Sequence, residues 1–256
     1  MKVGLLECDH VADKFRHIGG DYRDMFPALF PNLKFELYDV CNGHFPESPQ
    51  ECDAYMCTGS MYSVYDDRDW IYRLKTLVQA IHQARKPYVG VCFGHQMMGE
   101  ALGGKVRKAE VGWCVGVHSF RLLQKEEWMA PPEKEYRLLM LCQDQVQELP
   151  PDSRVLAQAP DCPVGMFTVG DTMLGIQAHP EFSKEYVGAL IQDRIQRIGE
   201  SKSHSALESL NQPTHAATLS RWISNFLESA VDQAKGPEKN KFPPYSDMID
   251  RSTYPA

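Results

Sequence analysis

The segment Pro87-Tyr88-Val89-Gly90-Val91-Cys92-Phe93-Gly94-His95-Gln96 constrains the fold of this chain more than any other. Pro87 to Val91 is a short apolar run, the length of a strand buried on both faces. Beyond Cys92 the spacing turns helical: Phe93, Met97, Met98 and Leu102 share one side, and the run stops at Gly103-Gly104. The switch from strand to helix therefore falls on a cysteine with a glycine two residues before it and another two after. That is a nucleophile-elbow pattern with Cys in the place of Ser, in which the glycines leave room for a tight turn that lifts the side chain above the sheet. A sulfur at a helix N-terminus also feels the positive end of the helix dipole, which favours thiolate. Taken alone, the pattern is equally compatible with a packed core cysteine.

A second stretch tips the balance. Ile176-Gln177-Ala178-His179-Pro180-Glu181-Phe182 follows the apolar run Met173-Leu174-Gly175-Ile176 with a His and, two residues on, a Glu. A cysteine nucleophile needs a base, and the base needs a group to orient it. Here both arrive at the tip of one strand, where sheet-based active sites collect.

Together, G-x-C-x-G-x-Q at Gly90–Gln96 and Q-x-H-P-E at Gln177–Glu181 resemble the class I glutamine amidotransferase family. Cys57-Thr58-Gly59-Ser60-Met61-Tyr62-Ser63-Val64 resembles its S-G-G-P-x-S-V oxyanion loop. Cys142-Gln143-Asp144-Gln145-Val146-Gln147-Glu148-Leu149-Pro150 resembles its S-H-G-D-x-V-x-x-L-P segment. The resemblance implies an α/β, flavodoxin-like fold: an open, mostly parallel twisted sheet with helices on both faces and a small antiparallel extension. It implies Cys92 as nucleophile, His179 as base and Glu181 as its orienting carboxylate, with an oxyanion hole from Gly59, Ser60 and the N–H of Phe93. Gln96, Gln143 and Asp144 become the substrate-binding candidates, with Gln145 a weaker one. The chain departs from the pattern at Ser60 (for Gly), Met61 (for Pro) and Gln143 (for His). A backbone donor tolerates Ser60 if φ there is negative. Gln143 replaces a residue tied to recognition of the amino-acid end of glutamine, which weakens the case for free glutamine as the preferred substrate.

Bulk properties narrow the function classes. The 256 residues are enough for one well-packed α/β domain, and 43% of them are hydrophobic. The net charge of −7 with no basic block argues against a nucleic-acid partner. No run of eighteen apolar residues is present, so no membrane span is expected. The chain runs directly into a strand-like Lys2-Val3-Gly4-Leu5-Leu6-Glu7-Cys8 without a leader pattern, which points to a cytoplasmic protein. Eight cysteines without a Cys-x-x-Cys pair read as reduced, buried thiols apart from Cys92. The histidines, His10 among them, lack ligand spacing, so neither a metal nor a cofactor is expected, and His95 is placed either in the pocket or in packing.

Alternation and periodicity predict strands at 2–8, 34–40, 54–57 and 172–178 and a helix from Trp70 to Ile81, giving alternating strands and helices. Short strands near 111–123, 137–142, 155–159 and 164–169 predict the antiparallel extension. A helix through Val187, Leu190, Ile191, Ile195 and Ile198 completes a catalytic domain over 1–198. Residues 199–215 read as a polar linker and Leu219 to Ala230 as an amphipathic helix, both within a segment ending at 235, and 236–256 as an extended or disordered tail.

Two activities compete. The first is hydrolysis of the γ-amide of glutamine through a γ-glutamyl thioester, with a separate synthetase subunit as ammonia acceptor. The second is a stand-alone γ-glutamyl peptidase or hydrolase, resembling the plant γ-glutamyl peptidases. A catalytically silent binding or regulatory protein is the alternative of another class.

Overall fold

The structure, a computed structural model, describes residues 1–234. Strand β1 (Lys2–Glu7) is followed by the short helix α1 (Arg16–Gly19), helix α2 (Tyr22–Leu29) and β2 (Lys34–Asp39). Then come β3 (Ala54–Cys57), α3 (Asp69–Gln83), β4 (Tyr88–Val91) and α4 (Phe93–Ala101). The middle of the chain is all strand: β5 (Lys105–Lys108), β6 (Cys114–Leu122), β7 (Glu135–Cys142), β8 (Asp144–Glu148), β9 (Ser153–Ala159), β10 (Cys162–Val169) and β11 (Met173–Ile176). Helices α5 (Lys184–Asp193), α6 (Ile195–Ile198), α7 (Glu200–Ser209) and α8 (Ala216–Ala234) follow.

Nine strands form one sheet in the order β2-β1-β3-β4-β11-β10-β9-β6-β7. The first five are parallel, and their order, with β11 as the fifth, is that of a flavodoxin-like sheet. The remaining strands are antiparallel, and they curl back far enough for Leu139 of β7 to bridge His179 just past β11. One face is covered by α3 and α4, whose Leu74, Leu77, Val78, Met97 and Met98 are buried with Tyr55 and Tyr88. The other face is covered by α2, α5 and α8, with Phe26, Val187, Ile191, Trp222 and Phe226 buried against Leu5, Val89 and Tyr136. The central strands β3, β4 and β11 are buried on both sides, as their uninterrupted apolar runs predict.

Local chemistry explains the elements that lie nearest the site. Asp21 caps α2 in a reciprocal capping box with Asp24, and Ser183 caps α5 by accepting from the Tyr186 N–H. Three features differ from the sequence expectation. The presumed linker contains α7, which buries Ser203 and Ala206 and hydrogen-bonds β6 through Ser209 Oγ to Val117 N. The helix expected to run to Ile198 breaks at Arg194, dividing α5 from α6. Lys105–Lys108 and Asp144–Glu148 form a separate two-stranded sheet that periodicity did not reveal, since each strand is only four or five residues long. The tail at 236–256 lies outside the described residues. Among the described residues no helix is long and apolar enough to cross a membrane.

Candidate active site

Cys92 sits between β4 and α4 with φ 51° and ψ −100°, one of three non-glycine residues with positive φ among those described. Such a conformation costs on the order of 1–3 kcal/mol and persists only where its surroundings enforce it. They do so here by contact. A Cβ on Gly90 would lie 2.3 Å from the Gly94 backbone, and one on Gly94 would lie 2.4 Å from the Cys57 carbonyl oxygen. The Tyr88 hydroxyl donates to the Gly94 carbonyl at 2.9 Å, and the Cys92 N–H donates to the Ile176 carbonyl at 2.9 Å. Both glycines of the elbow are thus required by close approach rather than by positive φ.

The bond from Cys92 to β11 brings the end of that strand alongside the cysteine. Three residues past β11, His179 is pinned by its N–H to the Leu139 carbonyl, and its ring lies against the Cys92 thiol. His179 Nδ1 meets Glu181 Oε1 at 2.7 Å, which leaves Nε2 for the sulfur. The imidazole stacks on Phe182 with ring centroids 3.9 Å apart and planes 8° from parallel. Burial opposes its charge, but the Glu181 carboxylate and Cys92 outweigh that and push the His179 pKa up to about 10. The structure therefore brings Cys92, His179 and Glu181 together as nucleophile, acid–base and orienter would be arranged.

The N–H groups of Gly59, Ser60 and Phe93 find no hydrogen-bond acceptor among the described residues. Ser60 keeps a negative φ, so its backbone accommodates the side chain that replaces glycine. Its hydroxyl turns away, donating to the Cys8 carbonyl at 3.0 Å. Gly59 admits no side chain, because a Cβ there would stand 2.9 Å from His179 Cε1. Met61 in place of proline has a use of its own: its N–H donates to Asp9 Oδ2 at 2.7 Å, a bond proline cannot make. This tie fastens the loop to the tip of β1.

The remaining candidates are placed differently. Gln96 is buried and donates from Nε2 to the Asp144 carbonyl (2.7 Å) and to Gln177 Oε1 (3.2 Å). The Asp144 carboxylate accepts from Ser63 Oγ and from the Tyr65 hydroxyl, joining the 58–65 loop to β8. Gln145 turns away, donating to the Asp161 carbonyl at 2.7 Å. Gln143 is half-buried, and its carbonyl accepts from Ala109 N. His95 is fully buried edge-on to Phe167, its pKa lowered to about 3 by burial, so it packs away from the sulfur.

A cleft of about 350 Å³ opens above Cys92 and His179, and several of its walls went unread in the sequence. Asp9 and His10 belong to it, at the carboxyl end of β1, and that position was the available signal. Tyr22 comes from α2, Phe182 from the segment before α5, Tyr186 from α5, Arg194 from the α5–α6 break and Arg197 from α6, and nothing in local spacing marks them. His10 also meets Asp21 (2.9 Å) and Asp39 (3.2 Å), and those acids raise its pKa against the effect of burial. Glu7, His10 and Asp21, or His10, Asp39 and Cys41, bring donor atoms within 4.8 Å of one another, as a cation would need. Arg23 on Glu7 and Arg16 on Asp21 already neutralise much of that charge.

The family model for glutamine amidotransferase class-I matches residues 46–195, which include every residue of the elbow, the 58–65 loop and the His179–Glu181 pair. Gamma-glutamyl peptidase 3 of Arabidopsis thaliana is 32% identical over 201 residues, covering 75% of this chain and 80% of that protein. GMP synthase of Ralstonia pickettii is 34% identical over 150 residues, covering 56% of this chain and 27% of that protein. A solved glutamine amidotransferase from Thermotoga maritima superposes with a TM-score of 0.70 at 19% identity, covering 91% of this chain and 98% of that one. With its fold, its motifs and more than half its length matched, this chain belongs to the class I glutamine amidotransferase family.

Proposed function

We propose that the protein is a self-contained cysteine hydrolase of γ-glutamyl bonds, working through Cys92, His179 and Glu181. The carrying observation is that one chain holds the whole set: Cys92, His179 and Ser60 line one cleft, Glu181 meets His179, and the N–H groups of Gly59, Ser60 and Phe93 are unengaged among the described residues. The sulfur of Cys92 attacks the δ-carbonyl carbon of the γ-glutamyl group, forming the C–S bond. The oxyanion is received by the N–H groups of Phe93 and of the Gly59–Ser60 turn. His179 gives its proton to the departing nitrogen as the C–N bond breaks, leaving a γ-glutamyl thioester. With Cys92 acylated, one of the groups that raises the His179 pKa is gone. The imidazole can then take a proton from water as the water attacks, and glutamate leaves with the sulfur restored. Gln96, held by its Nε2, would offer Oε1 to the substrate's ammonium group. Gln143 and Asp144 stand outside the lining of the cleft, and the Asp144 carboxylate is taken by Ser63 and Tyr65.

The second reading, hydrolysis of glutamine on behalf of a separate synthetase, has one observation in its favour: the match to part of GMP synthase. Against it, the apolar stripe of α8 is consumed inside the chain: Leu219, Trp222, Ile223, Phe226, Leu227 and Ala230 are all at most 2% exposed. The apolar stripe is thus spent within the chain rather than left for a partner, which favours the self-contained hydrolase. The reacting groups, Cys92, His179 and Glu181, and the proposed oxyanion donors all fall within the proposed catalytic unit, residues 1–198.

Glutamate release by the purified protein from glutamine and from γ-glutamyl dipeptides tests the proposal. Activity without an added subunit is expected, and Cys92→Ala should lower it by several orders of magnitude. Inactivity on every γ-glutamyl compound, or retention of more than a few per cent by Cys92→Ala, would reject it.

A further inference from the structure

The cleft extends past the reacting groups. Besides Cys92 and His179, the lining of its roughly 350 Å³ includes Phe15, Tyr186, Leu190, Arg194 and Arg197, from the segment before α1 and from α5 through α6.

The charges on that wall do not cancel. Lys14 and Asp193 pair with each other. The Asp9 carboxylate is engaged by the N–H groups of Met61 and His10. Arg194 and Arg197 have no carboxylate within 4.0 Å among the described residues. Arg194 occupies the break between α5 and α6 and is half-buried, near enough for its charge to act on both Asp9 and Tyr186. Arg197 follows three residues later, its guanidinium 5.6 Å from the centre of the Trp113 ring. Arg194 caps the start of α6 and Arg197 lies in its first turn, its N–H donating to the Arg194 carbonyl at 2.9 Å, so the two backbones are adjacent. Two guanidinium groups beside a cleft suit a planar carboxylate, which arginine binds through paired N–H donors.

Building on the γ-glutamyl reading, we infer that Arg194 and Arg197 form a subsite for a carboxylate on the leaving group. The substrate is then a γ-glutamyl amino acid or short γ-glutamyl peptide with a free C-terminus, rather than glutamine. Phe15, Tyr186 and Leu190 line the apolar space for the side chain of the residue released. Each further residue carries the terminal carboxylate about 3.5 Å outward, so peptide length reports how far the arginines stand from the sulfur.

The test compares kcat/KM of the full-length protein for γ-glutamyl-alanine, γ-glutamyl-alaninyl-glycine and γ-glutamyl-alaninamide. The better of the two acids should exceed the neutral amide by about 10-fold or more, chiefly through KM, since a remote charge pair is uniform binding. Added salt should shrink that ratio. In Arg194→Met/Arg197→Met the acid-to-amide ratio should fall to about one, and in the double Lys variant it should be partly retained. A wild-type ratio near one, or a ratio unchanged in the double Met variant, would overturn the subsite while leaving the hydrolase reading intact. Wild-type inactivity on all three compounds and on glutamine would instead remove the reading on which the subsite rests.

Discussion

His179 holds its proton through neutral pH because the Glu181 carboxylate and Cys92 outweigh its burial. The sign of the consequence follows from comparing the folded value, about 10, with the ordinary histidine value of 6.5. The raised pKa contributes stability that is fully present below about 6.5 and is lost as pH rises toward 10. A leaving nitrogen likewise finds its proton donor over that whole range. We therefore expect the alkaline limb of the kcat/KM profile to lie well above pH 7. Glu181→Gln should move it down toward the ordinary range, since burial alone depresses an imidazole. A profile for Glu181→Gln that superposes on the wild type would mean the carboxylate does not hold the proton on His179. The cysteines provide a second residue-level test. Cys92 is the one cysteine that lines the cleft. Cys41, the most accessible of the others, is pushed up to about 12 by partial burial and by Asp39, and Cys114 is pushed up to about 11 by burial. Near neutral pH, iodoacetamide should therefore modify Cys92 first, and peptide mapping that finds comparable labelling at Cys41 would contradict this.

At the scale of elements, the site depends on how closely α4 is drawn down onto β3 and β4. Gly94 N–H donates to the Thr58 carbonyl at 3.2 Å, and the Cys57 carbonyl sits where a Cβ on Gly94 would fall. Thr58 leads directly into the 58–65 loop, so the same contact sets the distance between the elbow and its proposed oxyanion donors. Gly94→Ala should cost about 1–3 kcal/mol through overpacking against backbone that cannot swing aside. For a chain of this length that corresponds to a fall of roughly 2–12 °C in Tm. Activity should fall further than stability explains, because the helix carrying Phe93 must lift. A Gly94→Ala protein with wild-type Tm and wild-type kcat/KM would show that the close packing is not needed.

At the scale of the whole molecule, α8 closes the second face of the sheet. Trp222 is fully buried, meets Tyr136 edge-on at 6.1 Å and donates from Nε1 to the Pro131 carbonyl at 2.8 Å. Asn225 ties the same helix to the Trp128 carbonyl at 3.0 Å. The loop around 128–131 is thus held by α8, and α8 by β7, whose Leu139 clamps the backbone of His179. Trp222→Ala should destabilise the protein by about 3–5 kcal/mol, the usual cost of truncating a large buried aromatic. Chemical denaturation would measure it, and a loss below about 1 kcal/mol would mean the helix is not integral to the core.

The central parallel strands and the elbow were legible in the sequence because their determinants are local. An apolar run bounded by punctuating residues is a buried strand, and two glycines flanking a cysteine at a strand–helix switch permit one tight geometry. His179 and Glu181 could be paired with Cys92 because strand tips gather at one edge of such a sheet. Ser60 and Met61 looked like defects in the loop until the structure supplied their partners, the Cys8 carbonyl and the Asp9 carboxylate, some fifty residues away. The helix at 200–209 was hidden by its polar composition, since the residues it buries fully are Ser203 and Ala206, neither a strong hydrophobic marker, and Leu207 is its one partly buried large apolar contact. Arg194 and Arg197 read as ordinary surface cations. Their place on the wall of the cleft that holds Cys92 follows from where α5 ends against α1, a packing outcome between residues that are far apart in the chain and that no local pattern encodes.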